Sequence, residues 1–186
     1  MQNSSTMNFD HSNSWNILST IEIGIKQKIE AVGIPLRDWN VRINRGILTG
    51  FNEAFIISGE KRDELVAADP KSAEIIRPIL RGRDIKRYGY TFANLWVINT
   101  HNGVRESGLP RIDISDYPAI KAHLDKYYPK LVKRADKGDT PYNLRNCAYM
   151  DDLTKQKIVW GEISDKPKFA IDVEGTYCPE ATTFLM

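Results

Sequence analysis

Five short apolar runs constrain the fold of this chain most: Ala54–Ile57, Leu95–Ile98, Lys157–Trp160, Phe169–Val173 and Thr182–Met186. Each is too short for a stable helix and reads as a strand bounded by polar or turn-forming residues. Trp39–Asn44 alternates apolar and polar residues and is expected to be a half-buried strand. Helical patterns lie among these runs. Ser19-Thr20-Ile21-Glu22 is a capping box, Ile21, Ile25, Ile29 and Val32 follow at helical spacing, and Gly33 with Pro35 supplies the stop. The pattern predicts a helix over 20–32 that buries one stripe against a sheet. Lys61–Ala67 reads as a short helix, and Asp69-Pro70 opens another that stops near Pro78. Asp116–Tyr128 is amphipathic, is broken or restarted at Pro129, and its second part runs to Gly138. Together these elements give an α+β fold: a mixed β-sheet domain with an N-terminal helix and a few flanking helices.

With 186 residues the chain can bury a real core. It has no apolar run long enough to span a membrane. Met1–Ser14 is polar, lacks the apolar stretch of a secretory signal, and reads as a flexible lead-in to a domain over 15–186. A cytoplasmic location, with Cys147 and Cys178 as reduced thiols, is the expectation. The strand-like ending Thr183-Phe184-Leu185-Met186 carries no turn signal, so the chain reads as a piece of a longer one.

Net charge is only +2, yet its distribution is uneven. Arg77–Arg87 holds five cations and one anion, and Lys121–Arg145 holds seven cations against three Asp. Arg81-Gly82-Arg83-Asp84-Ile85-Lys86-Arg87-Tyr88 is too dense in cations to consist only of helical ion-pair partners. An arginine fork can hold a phosphate, or guanine O6 and N7, with two hydrogen bonds, and Asn can do the same for adenine. Thr49, Asn52, Asn99, Asn102, Asn143, Arg145 and Asn146 fall on predicted loops, with Tyr88, Tyr90, Tyr142 and Tyr149 among them. For each tyrosine, packing in the core is at least as good a reading as stacking on a base.

Several chemistries find no support. The phosphate-loop, zinc-protease and serine-hydrolase motifs are absent, and His11, His101 and His123 are scattered without metal-ligand spacing. A glycine-rich strand–turn–helix for a methyl donor is missing, and Thr140-Pro141-Tyr142 reads as a turn. Asp69 followed by Asp84-Ile85-Lys86 fits the spacing of a metal-dependent nuclease. One carboxylate among four cations would hold a metal ion poorly, so Asp84 is expected to pair with a neighbouring Arg and orient the loop.

Three stretches carry a resemblance: Gly46–Ile57 (GILTGFNEAFII), Lys61–Tyr88 (KRDELVAADPKSAEIIRPILRGRDIKRY), and Asp139–Asn146 (DTPYNLRN) with Lys157–Trp160. In order and spacing the chain resembles the TaqI-like specificity domain. That domain is the target-recognition region of type IIG/IIS restriction–modification proteins and related DNA adenine methyltransferases. The likeness runs over Trp15–Met186. It implies sequence-specific double-stranded DNA recognition by a domain that faces a methyltransferase domain of the same parent chain. The parent would use S-adenosylmethionine to methylate adenine N6, with Mg2+ if it also cuts. No catalytic residue, metal ligand or cofactor site is expected in this piece. The resemblance does not say which side chains touch DNA. On chemistry, Arg81, Arg83, Lys86 and Arg87 are expected near phosphates and Asn102, Arg105, Asn143 and Arg145 at bases, with Thr49 and Asn52 shaping the adjoining loop. Two other readings stay open: a nuclease using Asp69, Asp84 and Lys86, and a docking module for the methyltransferase domain.

Overall fold

A computed structural model describes residues 18–186, so the expected lead-in over Met1–Ser14 lies outside the described residues. The chain divides into a small unit ending at Val41 and a larger one, Arg42–Met186. In the small unit, α1 (Thr20–Val32) starts on the expected capping box: Ser19 N donates to Glu22 Oε2 at 2.7 Å, and Glu22 N to Ser19 Oγ at 3.4 Å. Gly33 N closes the last turn on Ile29 O. The expected burial of its isoleucine stripe is corrected, because no residue of α1 is buried. Among the described residues of this unit, a single helix followed by a 3-10 turn (Leu36–Asp38) supplies no second layer to close over that stripe.

The larger unit contains β1 (Asn44–Arg45), α2 (Asn52–Phe55), β2 (Ile56–Ser58), α3 (Gly59–Ala68), β3 (Ile76–Leu80), β4 (Ile85–Lys86) and β5 (Gly89–Tyr90). After these come β6 (Leu95–Ile98), α4 (Pro118–Asp125), α5 (Tyr128–Lys133), β7 (Lys157–Gly161), β8 (Phe169–Asp172), β9 (Cys178–Pro179) and β10 (Thr183–Leu185). One sheet has the order β1-β10-β7-β8 and is antiparallel throughout. A second, of order β2-β6-β3-β9, is mixed, with β3 and β9 parallel. β4 and β5 form a separate hairpin. The chain leaves the second sheet at Pro179 and enters the first at Thr183, so the segment Glu180–Thr182 joins them. This is the α+β architecture expected. Among the described residues no helix is long and apolar enough to cross a membrane.

The core is built from both sheets and the helices over them: Phe55, Ile79, Leu80, Ile85, Val97, Ile98, Ile120, Leu124, Leu131, Leu153, Val159 and Leu185 are all fully buried. Lys157 and Asp172, paired across β7 and β8, form a buried ion pair at 2.6 Å. Asp172 also accepts from the backbone N of Thr176 and Tyr177, which closes the following turn and leaves its carboxylate well satisfied.

Five elements differ from expectation. The run Ala54–Ile57 splits between α2 and β2, so Ala54 and Phe55 are helical, and the helix restarted at Pro129 ends at Lys133 rather than near Gly138. Only Asn44 and Arg45 of the alternating run at 39–44 and its neighbour pair as strand, because β10 offers partners only at Leu185 and Phe184. The helix after Asp69 is a single 3-10 turn, Pro70–Glu74, and Pro78 lies inside β3 rather than ending a helix. Pro78 is in register with Trp96 of β6, and on its other side β9 pairs only with Ile79 and Leu80, so no bond to β9 is lost for want of its N–H. The cationic segment expected to be a loop contains the β4–β5 hairpin, with Ile85 buried and Lys86 outside.

Candidate nucleic-acid interface

The glycine-bracketed loop is held from within. Thr49 is 1% exposed, and its Oγ1 donates to Asn52 Oδ1 at 2.5 Å while accepting from Phe51 N. Asn52 Nδ2 reaches Glu180 Oε1 at 3.4 Å, and the other oxygen of that buried carboxylate accepts from Thr182 N and Oγ1. Thr182 Oγ1 in turn accepts from Gly82 N at 3.2 Å. Glu180 thus ties the loop at 46–52 to the arginine-rich turn. Gly50 sits at φ 67, where an L side chain is strained, and a Cβ there would lie 2.6 Å from Asp136 O.

Arg134, just past α5, clamps the same loop to the segment 139–146. It is buried, donates through Nη1 to Thr49 O, and through Nη2 to Pro141 O at 3.1 Å and Asn143 O at 2.5 Å. Its guanidinium also lies 4.6 Å over the Phe55 ring. Burial pushes its pKa down to about 10. Asn143 is 2% exposed. Its Nδ2 donates to Ile112 O at 2.9 Å, with longer bonds to Thr100 O and His101 O, and its Oδ1 accepts from Thr140 Oγ1.

The arginine-rich turn has one inward and several outward members. Arg81 Nε and Nη2 grip both oxygens of Asp84, at 2.9 and 2.8 Å, and Arg81 N donates to the same carboxylate. Burial raises the Asp84 pKa, but these bonds outweigh it and hold the carboxyl below its usual range. Arg83, Lys86 and Arg87 are exposed and make no ion pair among the described residues. Lys86 Nζ donates to Arg83 O, and the Arg87 guanidinium lies 5.3 Å over the Tyr88 ring at the hairpin tip.

Three recesses run in sequence across the larger unit. The first, about 350 Å³, is lined by Asn102, Arg105, Asp139, Asn146 and Cys147. It shares Asn146 and Cys147 with the second, about 130 Å³, whose walls also include Arg45, Asn99 and Arg145. Arg45 pairs with Glu162 at 2.7 Å, and Glu162 lines the third, a cleft of about 350 Å³ flanked by Arg83, Lys86 and Lys168. At the back of that cleft Gly82 and Gly161 are pressed together, so that a Cβ on Gly161 would stand 3.4 Å from Gly82 Cα. The three linings together carry Arg105, Arg145, Arg45, Arg83, Lys86 and Lys168 beside the acids Glu106, Asp139 and Glu162; Arg45 pairs with Glu162, Arg145 with Asp136 and Lys168 with Asp165.

Asn102, Arg105 and Arg145 thus line the first two, adjoining recesses, Arg83 and Lys86 line the third, and Arg87 lines none of them. Asn102 mostly organises the site: Nδ2 donates to Asp139 Oδ1 and Asn146 Oδ1, and Oδ1 accepts from Asp139 N. Two assignments are corrected. Asn143 cannot read a base, because its amide is buried against backbone carbonyls. Arg81 is no free phosphate ligand, because its fork is filled by Asp84. Thr49 and Asn52 face their own loop and Glu180. Asp69 caps the next turn, accepting from Lys71 N and Ser72 Oγ, so the three members of the nuclease reading, Asp69, Asp84 and Lys86, each have a local partner. Sequence reasoning missed Arg45, Lys168, Arg134 and Glu180. Lys168 had a legible signal, a basic Asp165-Lys166-Pro167-Lys168 turn between two strand runs. The others are single residues whose partners are remote in sequence.

No family model matches the chain, and no curated protein matches it significantly. Among solved structures it resembles the type IIL restriction–modification enzyme MmeI, solved in complex with DNA, at a TM-score of 0.56 and 15% identity. The fold is shared with part of that enzyme. The match covers 77% of this chain and 18% of the enzyme's, so the chain spans under a fifth of its structural relative.

Proposed function

We propose that residues 42–186 form a sequence-specific double-stranded DNA recognition domain of a restriction–modification protein, of the TaqI-like specificity type. The observation that carries this is the set of cation-lined recesses, from Asn102 and Arg105 through Arg145 and Arg45, linked by the Arg45–Glu162 pair to the cleft of Arg83, Lys86 and Lys168. Phosphate contacts at the Arg83–Lys86–Lys168 cleft set register. Arg105, Arg145 and the amide nitrogen of Asn146, whose oxygen is held by Asn102, reach base edges. The structural likeness to an enzyme solved with DNA supports the reading.

The catalytic partner would be a methyltransferase domain elsewhere in a longer parent, acting in the cytoplasm, and S-adenosylmethionine would be held there. The described residues do not fit that cofactor. The junction from β2 into α3 carries only Gly59, where a Cβ would meet the Asn94 amide at 2.3 Å, leaving no cradle. Docking to such a domain is a second reading. It is favoured by the outward face of the first sheet, where Phe184, Trp160 and Phe169 stand in one cross-strand row and Ile171 and Val173 are exposed.

The test of DNA binding is titration of labelled duplexes over a salt series. Log affinity falls by about 0.9 per log unit of salt for each phosphate neutralised, so three cleft cations predict a slope of about −3. A flat response, or no binding at low salt, would overturn the reading.

A further inference from the structure

The geometry points to Ile163 as an apolar wedge that enters the DNA base stack beside the cationic cleft. This inference rests on the duplex-binding reading and adds a contact mode to it. Ile163 is 93% exposed, the highest value among the large hydrophobic side chains described. It stands in the turn between β7 and β8 and lines the same cleft as Arg83, Lys86 and Lys168.

The turn that presents it is braced. Glu162 N donates to Thr182 O at 2.8 Å, and the Glu162 carboxylate is held by Arg45. Ser164 Oγ donates to Lys166 O at 2.6 Å, and Lys168 pairs with Asp165 at 3.3 Å. The close Gly82–Gly161 contact fixes the root of the turn against the arginine-rich turn. The tip is therefore pre-positioned rather than ordered on contact.

The residues flanking Ile163 in sequence, Glu162, Ser164, Asp165 and Lys166, are polar, and of the other side chains that line its cleft only the buried Ile85 is apolar. A protein-docking surface needs a contiguous apolar patch. A single aliphatic side chain beside phosphate-binding cations is instead the arrangement by which proteins unstack one base step and kink the duplex. Insertion would bury an isoleucine that water otherwise surrounds, while Arg83 and Lys86, which make no ion pair among the described residues, hold the flanking phosphates.

The test uses the full chain and an end-labelled donor–acceptor duplex of about 30 base pairs with easily unstacked TpA steps at its centre. Affinity is read by anisotropy and bending by energy transfer. The unsubstituted chain is expected to bind and to shorten the end-to-end distance. Ile163→Ser is expected to abolish the bend and to weaken binding roughly tenfold. Its salt slope should stay unchanged, since no cation is altered. Ile163→Leu should retain both bend and affinity. The position is exposed, so an unchanged thermal midpoint certifies both variants. Binding by the unsubstituted chain without a bend, or an Ile163→Ser variant that bends the duplex equally, would overturn the wedge and leave duplex binding standing. Absence of salt-dependent binding by the unsubstituted chain would overturn the duplex reading itself, and the wedge with it.

Discussion

Arg134 and the Arg83–Lys86 pair put the same chemistry to opposite uses. Arg134 is buried, has no carboxylate ligand, and satisfies three main-chain carbonyls from two segments of the chain. Arg83 and Lys86 are exposed, have no anionic partner among the described residues, and flank an open cleft. Arg81 stands between these extremes, its fork closed by Asp84 in its own turn. A cation engaged by the chain itself is scaffold, and one left open to solvent beside a recess is available to a ligand. Asparagine divides likewise. Asn143 is enclosed by carbonyls, whereas Asn146 accepts from Asn102 and is otherwise exposed.

The contrast can be broken most forcefully at Arg134. Arg134→Leu leaves the carbonyls of Thr49 and Pro141 unpaired and Asn143 O with Gly138 N alone, and is expected to lower unfolding free energy by about 3 kcal/mol or more. Urea denaturation measures this, and a loss under about 1 kcal/mol would show the clamp to be dispensable. Asn143→Ala should lose about 2 kcal/mol in the same assay, with DNA binding reduced only as far as folding is.

Asp84→Asn sharpens the comparison through pH. The folded carboxyl is held below its ordinary pKa, so its contribution is present at neutral pH and fades as pH falls through about 4 and below. The stability gap between the unsubstituted chain and Asp84→Asn should therefore shrink on acidification. A gap that is constant with pH would mean that Arg81 does not select the charged form. Outside the scaffold, Arg83→Ala and Lys86→Ala should each change stability by no more than about 0.5 kcal/mol. Each should also reduce the magnitude of the salt slope of duplex binding by about 1. Loss of stability without a change in slope would move these residues to the structural class.

Much of the fold was legible because its signals are local. The capping box and the Gly33–Pro35 stop delimit α1 within a few residues, and the apolar runs mark β6, β7, β8 and β10. β3 was hidden by Pro78, which is tolerated only because β9 is so short. The β4–β5 hairpin was hidden by charge, since the buried alternation there consists of Ile85 alone. In the site, exposed cations could be found from their density. Their sorting into free and engaged could not, because it depends on partners far along the chain. Thr49 meets Arg134 across 85 positions, and Asn52 meets Glu180 across 128.

The Arg134 clamp grips only peptide carbonyls, a group every amino acid possesses. The loops it fastens can therefore exchange their outward side chains freely without loosening the grip. Arg145 and Asn146, on the segment the clamp fastens, are type in a fixed printing frame, and on the proposed DNA-binding reading re-lettering them would change the preferred sequence while the frame stays as it is.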